Sequence, residues 1–320
     1  MLDGYNREIQ YLRISITDRC DLRCRYCMPP GGVPPLRHAD ILSYEEIIRL
    51  ARIFSGLGIR KIRLTGGEPL VRQDVPRLVQ GLKAIPGVES VFMTSNGILL
   101  GDCLPQLVQT GLDGVNVSLD AVDREVYYQI CRRDCLQQVL RSIDRALACS
   151  LPLKLNCVPN RWNRRQIVPL TRYAMERDIP LRFIELMPIG EGKNADGLSE
   201  AQVKDLIAEG IGPLTPAPDH DPAYKCRYFL TPGGGKIGFI SALSHKFCRG
   251  CDRIRLTANG FLKACLQYDA RIDLKPLLRE TDETIRQAIA EAIRSKPQGH
   301  HFGLSPKQGD ESGRMSQIGG

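Results

Sequence analysis

Residues 11–32 read YLRISITDRCDLRCRYCMPPGG, a run in which Leu12, Ile14 and Ile16 alternate with other side chains and which passes straight into three cysteines. A period of two predicts a strand over residues 11–17. Five more such runs follow, at residues 61–65, 91–95, 114–119, 153–158 and 181–187. Between them the apolar spacing becomes helical. Ser43 reads as an N-cap with Glu46 completing a capping box, and Ile47, Ile48, Ala51 and Phe54 then share one face. Similar amphipathic runs occupy residues 75–84, 103–110, 136–148 and 167–177. Strands alternating with helices imply right-handed βαβ units and a parallel sheet. Six units predict an α/β fold, an incomplete (βα)6 barrel short of the eight units that close a ring.

The texture changes further along. A helix is expected near Ser199, a Pro-rich linker (PLTPAPDHDP) over residues 213–222, and then short strands in CRYFL, KIGFI and RIRLTANGFLKACL, with Asn259-Gly260 as a hairpin turn. Ile285, Ile289 and Ile293 mark one more helix, and from Gln298 the Gly, Ser and Lys content predicts a mobile tail. The division expected is a barrel over residues 1–212 and an extension over residues 213–320.

Composition bounds the function. With 320 residues, 42% hydrophobic and 25% charged, the chain is neither disordered nor a small disulfide scaffold. No run approaches the roughly 20 apolar residues of a membrane span, and MLDGYNREIQ lacks the marks of a signal peptide, so a soluble cytoplasmic protein is expected, with no membrane partner. Lys plus Arg (44) exceed Asp plus Glu (36), and the resulting +8 favours anionic partners. Twelve cysteines in such a chain are expected to be reduced, so clustered ones point to metal or redox chemistry.

Two clusters stand out. Cys20, Cys24 and Cys27 form C-x3-C-x2-C directly after the first strand; Cys248, Cys251 and Cys265 form C-x2-C-x13-C. Soft thiolates select zinc or iron-sulfur. A structural zinc wants four protein ligands, whereas three cysteines on a 4Fe-4S cube leave one iron open. Competing readings are buried thiols for the first group and a zinc ribbon completed by His245 for the second. Gly66-Gly67-Glu68-Pro69 follows the second strand, where a glycine pair lets the backbone approach a ligand or simply makes a turn.

The first triad, with Tyr26 ahead of its last cysteine, resembles the radical S-adenosylmethionine (radical SAM) superfamily, and GGEP resembles that superfamily's second-strand turn. The stretch HKFCRGCDRIRLTANGFLKACL is similar to the C-terminal site of the GTP 3',8-cyclase (MoaA) family, which opens molybdenum cofactor biosynthesis. The likeness runs from Arg13 through YCMP, TGGEPL, TSNG, VSLD, KLN and MPIGEG to the terminal Gly319-Gly320.

The resemblance implies a TIM-like barrel of the radical SAM type with two 4Fe-4S clusters, one on Cys20, Cys24 and Cys27 and one on Cys248, Cys251 and Cys265. It places S-adenosylmethionine near Tyr26, Gly67, Ser118 and Met187, and GTP on Arg13, Arg63, Thr94, Lys154, Arg253, Ile254 and Arg255, with the purine on the open iron of the second cluster. An adenosyl radical then takes the C3' hydrogen of GTP, the ribose carbon attacks C8, and reduction gives 3',8-cyclo-7,8-dihydro-GTP. Gly319 and Gly320 would thread into the cavity. The resemblance further implies a homodimer, an electron donor such as flavodoxin or ferredoxin, and hand-off to cyclic pyranopterin monophosphate synthase.

There is no GxxxxGK[ST] loop, and Gly233-Gly234-Gly235-Lys236 reads as a hairpin turn, so side chains must meet the triphosphate charge. Three departures from the family stand out: Asp252 in place of Asn, a charge expected beside the second cluster; Ile130-Cys131-Arg132-Arg133-Asp134 in place of TGRD; and the further thiols Cys103, Cys135, Cys149, Cys157 and Cys226, expected to be small buried residues. The alternatives are a radical SAM peptide-modifying enzyme with an auxiliary cluster, and a zinc-containing nucleic-acid binder. The second is disfavoured by only 6% aromatics and dispersed basic residues.

Overall fold

Along the strands of the first half, one face is apolar and the other polar. Leu12, Ile14, Ile62, Leu64, Val91, Met93, Val115, Val117, Leu155 and Leu181 are 2% exposed or less. Arg13, Arg63, Thr94, Asn116, Lys154 and Arg182 take the alternate positions. An ordinary parallel sheet is buried on both faces and reads as continuous hydrophobic runs. Here the alternation marks a sheet with helices against one face and a polar interior along the other.

The computed structural model describes residues 1–218, 225–302 and 309–319. β1 (Tyr11–Ser15), β2 (Lys61–Thr65), β3 (Ser90–Ser95), β4 (Gly114–Ser118), β5 (Leu153–Cys157) and β6 (Leu181–Ile184) lie parallel and in chain order. The connecting helices are α1 (Tyr44–Gly56), α2 (Val75–Lys83), α3 (Leu100–Gln109), α4 (Arg124–Cys131), α5 (Leu136–Ala148) and α6 (Ile167–Glu176). Their buried faces share one core with the apolar strand residues. The Ser43 capping box is present: Ser43 Oγ accepts from Glu46 N at 3.1 Å, and Ser43 N donates to Glu46 Oε2 at 2.7 Å. α4 is an addition to the expected elements; its N-cap Asp123 accepts from Val126 N at 2.9 Å. β6 stops at Ile184, short of the expected 187, because Glu185 turns its carboxylate to the N–H groups of Leu243 and Ser244 at 2.6 and 2.9 Å.

After α7 (Glu200–Gly210) come β7 (Thr215–Pro216), β8 (Arg227–Leu230), β9 (Lys236–Ile240), β10 (Arg253–Leu256), β11 (Phe261–Lys263), β12 (Ile272–Asp273), α8 (Asp282–Arg294) and α9 (Met315–Ile318). The expected linker is corrected in part: Thr215 and Pro216 pair antiparallel with β8 at the sheet's end, where a proline removes no ladder bond that matters. Residues 219–222 of that linker lie outside the described residues. Asn259-Gly260 does turn the antiparallel β10–β11 pair, with Gly260 at φ +89°, and the glycines of residues 233–235 turn β8 into β9.

The strand order is β12-β11-β10-β1-β2-β3-β4-β5-β6-β9-β8-β7. Strands from the last third of the chain therefore cover both edges of the parallel core. β9 runs parallel to β6, and β10 runs parallel to β1 with Arg13 level with Arg255. One sheet spans both parts of the chain.

The expectation of a mobile tail is overturned for residues 309–319. Glu311, Ser316, Ile318 and Gly319 are buried, and Ile318 joins Ile189 and Leu266 in a small apolar cluster. Composition describes local preference and misses such long-range partners. Gly320 lies outside the described residues.

Candidate active site

Strand register sets the chemistry of the interior. Arg255, Arg13 and Arg63 stand level on β10, β1 and β2; Tyr11 is level with Arg253. On the far strands Thr94 is level with Asn116, Asn116 with Lys154, and Asn156 with Arg182. Ile254 alternates to the other face and is 1% exposed in the core, so the expected substrate set loses that side chain. Arg182 is absent from the sequence-derived set. The parity of LRFI, the same as that of YLRIS and KIRLT, was the signal that could have found it.

Three of these cations, Arg63, Arg182 and Arg255, donate to neutral groups. Arg63 donates to the Tyr11 hydroxyl, to Met93 O at 3.0 Å and to Thr94 Oγ1 at 3.4 Å. Arg182 donates twice to Asn156 Oδ1, at 3.0 and 2.7 Å, and Arg255 donates to Gly319 O. The charges act on one another. Burial, then Arg255 and Arg63, push the Arg13 guanidinium well below its usual value; burial and Arg253 bring Arg255 to about 10. Lys154, open to the interior, is lowered by burial and by Arg182. Burial alone would raise the Tyr11 hydroxyl, yet Arg63 and Arg13 bring it below the usual tyrosine value. Asp252 forms an ion pair with Lys225, so its departure from the family pattern adds no uncompensated charge.

The first cysteine loop is built by tertiary contacts. The N–H groups of Cys27 and Met28 both donate to Cys24 O at 2.9 Å, and Leu22 N donates to Cys20 Sγ at 3.4 Å. The C-terminal end of α4 docks on it: Cys131 O and Ile130 O accept from Arg23 N and Arg25 N at 3.0 Å. Tyr26 donates to Asp120 Oδ2 at 2.5 Å, and Val158 N donates to Asp120 Oδ1 at 2.9 Å. The glycine pair has a use that the sequence did not reveal. Gly67 N donates to Thr17 O at 2.8 Å, Glu68 N donates to Arg19 O at 2.7 Å, and a Cβ on Gly67 would stand 2.3 Å from Arg19 O. The turn lies directly on the cysteine loop. Gly67→Ala is therefore expected to displace that loop and lower iron uptake to about half, with the second triad still loading, as iron analysis of reconstituted protein would read. An unchanged iron content would contradict this packing role.

Glu68, 1% exposed, accepts from Leu70 N at 3.1 Å, Ser95 Oγ at 2.9 Å and Asn96 N at 2.6 Å; Asn96 Nδ2 in turn donates to Asp21 Oδ1 at 2.6 Å. Burial pushes the Glu68 carboxyl up to about 7 against these hydrogen bonds. Ser118 ends β4, while Gly67 and Met187 lie just beyond β2 and β6, so all three stand at the C-terminal ends of their strands. Met187 also packs on the Ile189, Leu266 and Ile318 cluster.

The second triad is assembled by the β10–β11 hairpin, which brings Cys265 opposite the segment after Cys251. Lys296 staples the two arms, donating to Arg253 O at 2.7 Å and Ala264 O at 2.5 Å. Gly299 packs on Cys248, where a Cβ would be 3.4 Å from Sγ.

The donor sets fit iron-sulfur clusters. All twelve cysteines are free thiols. Burial pushes Cys27 to about 12 and Cys20 higher still, while the Cys131 thiol and burial raise Cys24, so these sulfurs lack the positive partner that cluster iron supplies. Burial, then Cys251 and Cys265, raise Cys248; burial opposes ionisation of Cys251, but Lys296 and Arg253 outweigh it. Among the described residues no three His, Cys, Asp or Glu side chains converge as for a single ion, and His245 turns to Glu200 at 3.6 Å instead of completing a zinc site. Of the other thiols, Cys131, Cys157 and Cys226 are buried as expected, but Cys103 and Cys135 are half-buried and Cys149, capping α5 at the surface, is exposed.

Comparison with known proteins agrees with this arrangement. Residues 14–173 match the Radical SAM superfamily and residues 179–302 match Molybdenum Cofactor Synthesis C. The GTP 3',8-cyclases of Moorella thermoacetica and of Clostridium perfringens strain 13 are 47% and 41% identical, each over 100% of both chains. Among solved structures, Streptococcus suis SuiB bound to S-adenosylmethionine shares the fold with a TM-score of 0.63, at 14% identity, over 90% of this chain and 68% of that one. With two thiol triads, a polar interior between strands and full-length identity of this order, the chain belongs to the GTP 3',8-cyclase family of the radical SAM superfamily.

Proposed function

We propose that the polar interior is the chamber in which this chain cyclises GTP to 3',8-cyclo-7,8-dihydro-GTP, the first step of molybdenum cofactor biosynthesis. The carrying observation is the level row of Arg255, Arg13 and Arg63, in which Arg63 and Arg255 donate to neutral groups, lying between two cysteine triads, one past the C-terminal end of β1 and one before the N-terminal end of β10. A triphosphate brings negative charge to a row of three guanidinium groups. Arginine forks suit phosphate oxygens, and Lys154 adds a point charge. Thr94 orients Arg63, Arg253 extends the row toward the second triad, and Ile254 offers only its backbone.

Cys20, Cys24 and Cys27 would hold one 4Fe-4S cluster and Cys248, Cys251 and Cys265 the other, with S-adenosylmethionine near Tyr26, Gly67, Ser118 and Met187. When bound, these groups supply one-electron chemistry, removal of the C3' hydrogen and an iron open to the purine. The chain's own residues hold, orient and exclude water. Gly319, its carbonyl taken by Arg255 and its backbone against Ser15 and Thr65, closes the chamber beside the cation row. No side chain is required as a general base for removing a hydrogen atom.

A homodimer, reduction by flavodoxin or ferredoxin, hand-off to cyclic pyranopterin monophosphate synthase and a cytoplasmic location belong to the same reading. No helix among the described residues is long and apolar enough to cross a membrane.

Anaerobic protein is expected to carry about eight iron per chain, and with reductant, S-adenosylmethionine and GTP it should yield the cyclised nucleotide, where ATP should not. Cys265→Ala should leave about four iron and no product. Absence of product from GTP with both clusters loaded would refute the assignment.

A further inference from the structure

Lys263 is 1% exposed and lies level with Arg255 on the neighbouring strand. An ammonium buried beside a guanidinium requires a negative partner close by. That partner comes from the C-terminal segment: Glu311, its side chain 2% exposed, accepts from Lys263 Nζ, which also donates to Tyr268 O at 2.6 Å. Glu311 is fixed in turn, with Gly313 N donating to Oε1 at 2.6 Å and its own N–H donating to Gln267 O at 2.5 Å. The described residues beyond it, 312–319, are docked step by step. Arg314 packs on Gly190 and stands 3.7 Å from Glu191, Ile318 fills the cluster with Ile189 and Leu266, and Gly319 arrives at Arg255.

We propose that the Lys263–Glu311 pair is the latch that holds the C-terminal segment in the chamber, making both residues positioning residues for Gly319. The family implies that the terminus enters the cavity; which contact keeps it there is the new assignment. Docking and charge compensation are a single event, since release of residues 309–319 would leave Lys263 buried without its carboxylate. Arg314–Glu191 is half-exposed and contributes little by comparison. The activity readout below rests on the proposed cyclase function, and the proteolysis readout does not.

Native trypsin cleavage after Arg314, followed by mass spectrometry on full-length holoenzyme, reads the latch directly. Glu311→Gln should speed that cleavage by about a hundredfold, because breaking one side of a buried pair leaves an uncompensated charge. The double variant Lys263→Met with Glu311→Leu should return to within about threefold of the parent, since both charges leave together and the volume stays filled. Product formation should follow the same order, falling through kcat in Glu311→Gln and recovering in the double variant. Cleavage after Arg314 no faster in Glu311→Gln than in the parent would overturn the latch. So would equal acceleration at Arg271 and Arg294, which would mean that the pair supports the whole extension instead of the segment. A parent protein that leaves GTP unchanged would sink the functional reading and leave the proteolysis result standing.

Discussion

Arg13→Met should weaken GTP binding by about thirtyfold while raising the melting temperature of the nucleotide-free protein by about 3 °C. The two effects have one origin. Arg13 lies level with Arg63 and Arg255, and burial together with these neighbours lowers its guanidinium well below the usual value. Without an anion the charge is a cost to folding; with a triphosphate it is a charge-assisted hydrogen bond of about 2 kcal/mol, which sets the size of the binding loss. Methionine keeps the volume and removes the repulsion, and about 2 kcal/mol regained corresponds to about 3 °C in a chain of 320 residues. Titration calorimetry with GTP and a thermal scan of the same anaerobic sample decide it. Unchanged affinity would remove Arg13 from the phosphate site, and a lower melting temperature would mean that Arg13 stabilises the nucleotide-free fold.

Glu68→Ala should cost about 4 kcal/mol and prevent stable loading of the first triad. It strips the acceptor from Leu70 N, Ser95 Oγ and Asn96 N together, and each buried donor left unpaired costs about 1–3 kcal/mol. Because Asn96 also reaches Asp21 in the cysteine loop, the damage travels to the thiols. The charge state adds a pH dependence. The folded carboxyl keeps its proton to about 7 against 4.5 ordinarily, so folded chains bind the extra proton across that window. Stability of the iron-free protein is therefore fully present below about 4.5, declines as pH rises and levels off above about 7, by at most about 3 kcal/mol. Glu68→Gln should abolish that decline. Parallel thermal scans of parent and Gln variant at pH 5 and 8 that kept the same difference would remove Glu68 as its source.

Local chemistry was legible in the sequence and distant pairing was not. β2 and α5 fall at their expected bounds, and the Ser43–Glu46 capping box forms, because alternation, spacing and caps are properties of neighbouring residues. β9 beside β6, β10 beside β1 and β7 inside a Pro-rich stretch depend on partners far along the chain. The same divide runs through the site. Both thiol triads were visible as spacings, and Arg13, Arg63 and Lys154 as alternate positions. Ile254 was included because it sat inside a contiguous RIR segment, although strand parity turns it away; Arg182, Glu68 and Asp120 were passed over because their importance lies in what they hold. The C-terminal segment looked unstructured since neither Glu311 nor Ile318 carries a local sign of its partner.

Covering both edges of the parallel core with late strands has a consequence for synthesis. β1 leaves the ribosome long before β10, so Arg13 waits for Arg255 before its outer side is complete. Until then the nascent chain holds two bare strand margins, which are templates for association with other chains, and an unshielded cationic trough. The topology that makes the chamber thus leaves the first half, on its own, with both of its outer strands unpaired.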